Sequence, residues 1–167
     1  MITESMEMIQ NSEFGNTALA LISLESLPKG TLFIETWYAI NIIANKSLQL
    51  ERYLPLHPTR FLIDNNKKDF SQLLPFEKLN PLCNSIPKKT ALSIAEKTRA
   101  ITQEVLIHSQ KLADDKIVEI KNSAQKRMVN DLSSELNRLK ALQKVNSTIR
   151  DDEIDYLEHR IQLSEQQ

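Results

Sequence analysis

The chain has 167 residues, 41% of them hydrophobic and 26% charged, and a net charge of −1. That length suits one domain, or one domain with an extension, and it can bury a sizeable core. The single cysteine, Cys83, excludes an internal disulfide and a cysteine-based zinc site, and it reads as a small buried apolar residue.

Only two glycines, Gly15 and Gly30, are present, so tight turns are few and long helices suit the chain. The first element is a short helix from Ile2 to about Gln10, started near Thr3 and ended by Asn11, Ser12, Gly15 and Asn16. The run TALALIS, residues 17–23, fits either a strand or an apolar helix. A long strand is expected over residues 31–43, TLFIETWYAINII. Leu32, Ile34, Tyr38, Ile40 and Ile42 share the core-facing parity, and Phe33, Glu35, Trp37 and Asn41 share the other. In residues 48–54, LQLERYL, the leucines alternate with polar residues in the manner of another strand, and Pro55 and Pro58 then break the chain. The segment TRFLID, residues 59–64, reads as a strand followed by a polar turn at Asn65, Asn66, Lys67 and Lys68. Pro75, Pro81 and Pro87 make residues 69–87 a connecting segment, with at most one short strand near Leu73–Phe76. Residues 17–76 therefore read as a small antiparallel meander.

The second half has a different character. From Lys88 to Val145 there is neither glycine nor proline. Apolar residues recur at Ala91, Ile94, Ala95, Ile101, Val105 and Leu112, and then at Ile117, Ile120, Ala124, Met128, Leu132, Leu136, Leu139 and Leu142. That recurrence is the period of a helix. A helix of this length has to break, pack along a partner or project, and Asp114-Asp115 is the expected break. Asn146, Ser147 and Thr148 end it. Thr148 stands three residues before Asp151 in a pattern resembling a capping box, and Asp151, Asp152 and Glu153 fill the first turn of a last helix over 151–166. Ile154, Leu157 and Ile161 face one side of that helix, and the short connection makes it antiparallel to its neighbour. The expected fold is α+β: a small antiparallel sheet subdomain over 1–87, then a long helical hairpin over 88–167.

Charge is segregated along the chain. Residues 88–150 carry 13 Lys and Arg against 7 Asp and Glu, a net +6, whereas residues 151–167 carry six acids and only Arg160, a net −5. A basic arm folded against an acidic arm explains this, since the basic residues are interspersed with acids. The competing reading is a face for nucleic acid or an acidic partner, with Lys126, Arg127, Arg138, Lys140 and Lys144 as the candidate contacts.

No motif carries catalysis. Lys29-Gly30-Thr31 has the wrong order for a phosphate-binding loop and lacks the upstream glycine, so it reads as a turn before a strand. Asp152-Glu153-Ile154-Asp155 spells an acidic box of motor ATPases, but no apolar strand precedes it to hold a carboxylate over magnesium. His57, His108 and His159 stand far apart, without partners at metal-ligand spacing. Asp114 and Asp115 point about 100° apart on a helix and form no dyad. Phe33, Trp37 and Tyr38 read as packing residues, because the adjacent basic residues of a base-stacking platform are missing. No apolar run reaches the roughly 18 residues of a membrane span, and no basic-then-apolar leader opens the chain.

Three stretches carry a resemblance: residues 12–66, residues 132–146 (LSSELNRLKALQKVN) and residues 147–154 (STIRDDEI). Their most specific pieces are Leu48-Gln49-Leu50 with Arg52-Tyr53-Leu54-Pro55, and Asn146 with Ile149-Arg150-Asp151-Asp152-Glu153. In order and spacing they resemble the C-terminal region of the RapA family, bacterial Swi/Snf-type ATPases bound to RNA polymerase. The resemblance implies a non-catalytic accessory or regulatory domain of an ATP-dependent motor that recycles polymerase. ATP and magnesium would be held by the motor and not here, so no catalytic, cofactor-binding or metal residue is carried over. The implied partners are core RNA polymerase and the rest of the parent motor, in the bacterial cytoplasm and away from membranes. Nucleic acid bound by the basic helix, or a coiled-coil-like hairpin that self-associates as a homodimer, are the alternatives. The resemblance implies a further apolar segment past the last helix, whereas this sequence stops at Gln167; if that segment is a sheet strand, an open edge is expected here.

Overall fold

The computed structural model of the protein describes residues 18–24, 27–41, 43, 48–146 and 148–165. The helix expected from Ile2 to Gln10 lies outside the described residues. The chain divides into two compact units, Met1–Thr36 with Phe61–His108 and Trp37–Arg60 with Ser109–Gln167. In chain order the described elements are β1 (Ala20–Ile22), β2 (Phe33–Tyr38), a three-ten turn (Leu50–Tyr53), β3 (Thr59–Asp64), α1 (Phe76–Leu79), a second three-ten turn (Asn80–Leu82), β4 (Cys83–Ser85), α2 (Lys88–Gln143) and α3 (Asp151–Glu165). The expected α+β class, with a small antiparallel region ahead of two helices, is borne out.

The strands do not form a meander. β1 pairs with β4 in antiparallel register, Ala20 opposite Ser85, Leu21 opposite Asn84 and Ile22 opposite Cys83, and β2 pairs with β3 in a separate two-stranded sheet. β2 is also shorter than the strand expected over 31–43. A strand persists only as far as it has a ladder partner, and β3 offers six residues between Pro58 and the turn after Asp64. The expected parity holds except at Phe33: Leu32, Ile34, Tyr38 and Ile40 are partly buried and Glu35, Trp37 and Asn41 are exposed, but Phe33 of the outer set is partly buried against Phe70, and Ile42 lies outside the described residues.

Within the first unit, Phe61, Leu62, Ile63, Leu79 and Val105 are buried. The Phe33 ring meets Phe70 edge-on, 5.3 Å between centroids. The polar turn after β3 is organised by Asp64, whose carboxylate accepts the backbone N–H groups of Asn66 (2.9 Å) and Lys68 (2.8 Å). Lys67 takes a positive φ of 66° there, as such a turn requires. Gly30, at φ 85°, sits in the turn that precedes β2, where a left-handed backbone favours glycine.

Three expectations between residues 48 and 87 are corrected. Residues 48–54 are not a strand: Gln49 is left-handed (φ 49°, ψ 40°) and leads into the Leu50–Tyr53 turn. That one residue lets Leu48 and Leu50 both become buried without extended backbone. The strand expected near Leu73–Phe76 is replaced by α1, which starts directly after Pro75, and the strand falls later, at Cys83–Ser85. Proline has no N–H to lose at a helix start. Cys83 is exposed rather than buried, because β4 belongs to a two-stranded sheet with every one of its residues open to solvent.

α2 runs without interruption for 56 residues, so the break expected at Asp114-Asp115 does not occur. Aspartate costs at most about 0.7 kcal/mol against alanine in a helix interior, too little to stop a helix held by packing elsewhere. Gln110 also donates to the Asp114 carboxylate at 2.9 Å along the helix. The start of α3 differs as well. Thr148 does not cap it; its hydroxyl and backbone N–H both donate to Asn146 Oδ1 (2.7 and 3.1 Å), making Asn146 the organiser of the turn. Glu153 N–H then closes back on Arg150 O at 3.2 Å.

Truncating Met128, which is 1% exposed, is expected to cost about 2–5 kcal/mol. Asp115→Ala, at an exposed position, is expected to stabilise by up to about 0.7 kcal/mol. Urea denaturation of the two variants checks both, and a large loss for Asp115→Ala would contradict an unbroken helix.

Candidate interaction surface

All five sequence candidates, Lys126, Arg127, Arg138, Lys140 and Lys144, lie in the second unit, the first four on α2 and Lys144 just past its end. Their setting is a helical hairpin. Apolar side chains four residues apart, Ala124, Met128 and Leu132, are buried on one side of α2, with Leu136 and Leu139 partly buried beyond them. From α3, Ile154 and Leu157 are buried; Leu157 joins Met128 and Leu132 in one cluster, with Ile161 and Leu163 against it. The cross-links fix an antiparallel register: Gln143 Nε2 donates to Asp151 (2.7 Å), Lys140 to Glu158 (2.6 Å), and Gln125 Nε2 to Ser164 O (2.5 Å).

A third segment closes the cluster. Leu48 and Leu50 enter it, with Tyr53 packed at its margin. Two guanidinium groups tie this segment down through its backbone carbonyls: Arg127 donates to Tyr53 O at 2.7 Å and Arg160 to Leu48 O at 3.0 Å. Arg160 also lies over the Tyr156 ring, 5.7 Å from its centroid. The pattern of residues 48–54 carries no sign of this packing, and neither does Arg127 read as a structural residue. The only textual hint is that Leu48 and Leu50 are apolar within a segment too short to form a core alone.

The basic candidates separate into two groups. Arg127 holds Tyr53 O. Arg138 grips both oxygens of Glu135, at 2.8 and 2.6 Å, and Lys140 pairs with Glu158 on α3. Lys126 and Lys144 are exposed and make no ion pair among the described residues. Lys126 lines a shallow depression with Asn122, Gln125, Val129 and Asn130, all from α2 itself. Three of the five are thus engaged within the fold, and the basic and acidic arms meet directly at Lys140 and Glu158.

Of the three aromatic residues expected to pack, Phe33 does so against Phe70, and Trp37 departs from that role. Trp37 is 48% exposed, with the Arg60 guanidinium 5.9 Å above its ring, so a basic neighbour comes from the paired strand and not from the adjacent sequence. Tyr38 is partly buried and its hydroxyl meets Ser109 Oγ at 3.1 Å. Among the described residues no three His, Cys, Asp or Glu side chains gather where they could hold a metal ion, and no helix is long and apolar enough to cross a membrane.

The family described as RNA polymerase recycling family C-terminal, RapA_C, matches residues 1–167 of the chain. The chain belongs to this family. Relatives described as RNA polymerase-associated protein RapA include one from Sodalis glossinidius, 34% identical over 155 residues, 93% of this chain and 16% of that protein. A Pseudomonas putida relative is 36% identical over 164 residues, 96% of the chain and 17% of its own length. One from Pseudomonas fluorescens is 37% identical over 161 residues, 94% of the chain and 17% of its own length. The chain therefore spans about one sixth of the length of the curated relatives it matches. The resemblance carried by residues 12–66 and 132–154 is borne out. Its two most specific pieces, 48–55 and 146–153, both fall in the second unit of the RapA_C chain, the first in the segment held by Arg127 and Arg160 and the second at the hairpin turn.

Electrostatics at the exposed end of the hairpin are local. The hydrogen bonds from Arg138 hold the Glu135 carboxyl below its ordinary value; slight desolvation opposes this and the Arg138 charge adds to it. The same bonds raise the Arg138 guanidinium. A carboxylate with a lowered folded-state pKa contributes stability above its unfolded pKa, and loses that contribution as pH falls through the folded value. Glu135 is expected to titrate below the usual glutamate range in a carboxyl-detected NMR titration, and Arg138→Ala is expected to bring it back up. An unchanged Glu135 titration in that variant would remove the pair.

Proposed function

We propose that this RapA_C chain is a non-catalytic accessory and regulatory domain of an RNA polymerase-associated, ATP-dependent motor, and that it serves polymerase recycling in the bacterial cytoplasm. Its partners are core RNA polymerase and the rest of the parent protein. ATP and magnesium are assigned to the remainder of that protein, and no residue of this chain is given a catalytic role. The observation that carries this reading is the family match over residues 1–167, together with relatives that bear the RNA polymerase-associated name.

The disposition of side chains supports a docking part more than a chemical one. The second unit's buried apolar residues join α2, α3 and the 48–53 segment in one hydrophobic cluster, and packed elements present a partner with a surface already in place. The nucleic-acid reading draws less support, since Arg127, Arg138 and Lys140 already hold groups of the same fold. Releasing them to meet phosphates would cost those contacts, and of the five candidates only Lys126 and Lys144, eighteen residues apart, are left without an ion pair among the described residues.

The test is a pull-down of core RNA polymerase with the 167-residue chain, set beside the parent protein lacking it. Capture by the chain, and impaired multi-round transcription after its deletion, are the expected results. Normal recycling without it would reject the proposal. A gel shift at low salt with Lys126→Ala and Lys144→Ala is expected to show no salt-dependent binding of RNA or DNA attributable to those residues.

A further inference from the structure

We propose that residues 2–10 of this chain lie along the first turns of α2, on the face that carries Leu92, Ala95, Arg99 and Leu106. The segment and that part of α2 belong to the same unit, and the proposal does not rest on the polymerase reading.

That face is built like one side of a helix pair. Leu92, Arg99 and Leu106 follow at seven-residue steps, with Lys88, Ala95 and Thr102 offset between them, a spacing that keeps all six on one side of a helix. All but Thr102 are exposed, Leu92 at 56% and Leu106 at 41%. The side of α2 that is buried within the unit is a different one, marked by Val105. The charge here is as one-sided as the packing. Lys88, Lys89, Lys97 and Arg99 stand against Glu96 alone, and none of the four cations makes an ion pair among the described residues. Lys88 and Lys89 also occupy the first turn of α2, which holds no acidic residue. Cations at that end oppose the positive pole of the helix dipole. What fits such a face is an apolar stripe accompanied by carboxylates.

The sequence of residues 1–17 meets that description. It carries Glu4, Glu7 and Glu13 and no Lys or Arg, and Ile2, Met6 and Ile9 fall at positions i, i+4 and i+7. The point at which this segment joins the fold puts it within reach. β1 begins at Ala20, opposite Ser85, and α2 begins three residues after Ser85. Ala20 thus lies within roughly 15 Å of the start of α2. Residues 11–19 can span up to roughly 30 Å, and Leu92 to Leu106 takes about 21 Å of helix. The stretch ahead of Asn11 can therefore be laid along this face. Charge, apolar spacing and tether length all select one occupant, the acidic segment of the same chain.

Disulfide trapping in the full 167-residue chain tests this. The one native cysteine is exposed and is replaced by Cys83→Ser. In that background, Met6→Cys with Ala95→Cys is expected to close a disulfide within one chain when treated with diamide, seen on a non-reducing gel as a faster band at the 19.2 kDa monomer. Met6→Cys with Ser93→Cys puts the second thiol on another side of the helix and is expected to close severalfold less. Adding Lys88→Glu and Arg99→Glu to the Ala95 pair is expected to reduce closure about tenfold at low salt. Adding Glu4→Lys and Glu7→Lys as well is expected to restore it to within about threefold. Circular dichroism verifies that each variant keeps its helix. Equal closure at Ala95 and Ser93, no closure at either, or disulfides formed only between two chains each overturn the proposal. So does closure indifferent to the charge reversals, or a failure of the second pair of reversals to restore it. If closure fails and Leu92→Glu instead abolishes capture of core RNA polymerase, the face belongs to that partner and the assignment to residues 2–10 is wrong.

Discussion

The second unit depends on one contact: the closing of α3 onto α2 around Met128, Leu132 and Leu157. An isolated helix of 15 residues is marginal in water, so α3 exists because its apolar side is buried. The same closure creates the site at which the 48–53 segment is seated. Without α3 there would be no Arg160 to hold Leu48 O, and without the turn of α2 at Arg127 nothing would hold Tyr53 O. Burial, together with two charge-assisted bonds to carbonyls, turns a segment that has no regular ladder into part of the core.

That arrangement explains why the net charge split along the chain is quieter in the fold than on paper. Basic residues of α2 are matched in three distinct ways: to a carboxylate across the hairpin (Lys140 with Glu158), to one along the same helix (Arg138 with Glu135), and to a backbone carbonyl (Arg127 with Tyr53). Exposed pairs of this sort add little stability each. Their consequence is positional: they orient long side chains over the surface and remove them from general electrostatic attraction. The surface left over there is one of scattered open residues and not a continuous charged field.

The structure also separates two uses of one long helix within the sequence that forms it. At Ala124, Met128 and Leu132 a four-residue spacing is matched by a partner helix, and the residues are buried. Seven residues before Ala124, Ile117 keeps the apolar character but has no covering element among the described residues, and stays 40% exposed. Periodicity alone does not distinguish the two, because it records which side of a helix is apolar and not whether anything lies against it.

How much of the molecule was legible follows from this. Local signals were sufficient for α2, which has no glycine or proline to interrupt it, for the polar turn after Asp64, for β3, and for the antiparallel return of α3 after a short connection. The parity of residues 34–38 divided partly buried from exposed positions, since alternation is a property of the extended backbone itself, but it misplaced Phe33, which packs against Phe70. Non-local pairing was out of reach: β1 finds its partner more than sixty residues away in β4, and nothing in three-residue strands encodes that choice. Tertiary structure alone decided that Gln49 turns left-handed, that Cys83 stays open on β4, and that Arg127 and Arg160 are structural. In each case the deciding energy comes from contact with residues distant in sequence, which outweighs local preferences worth less than about 1 kcal/mol.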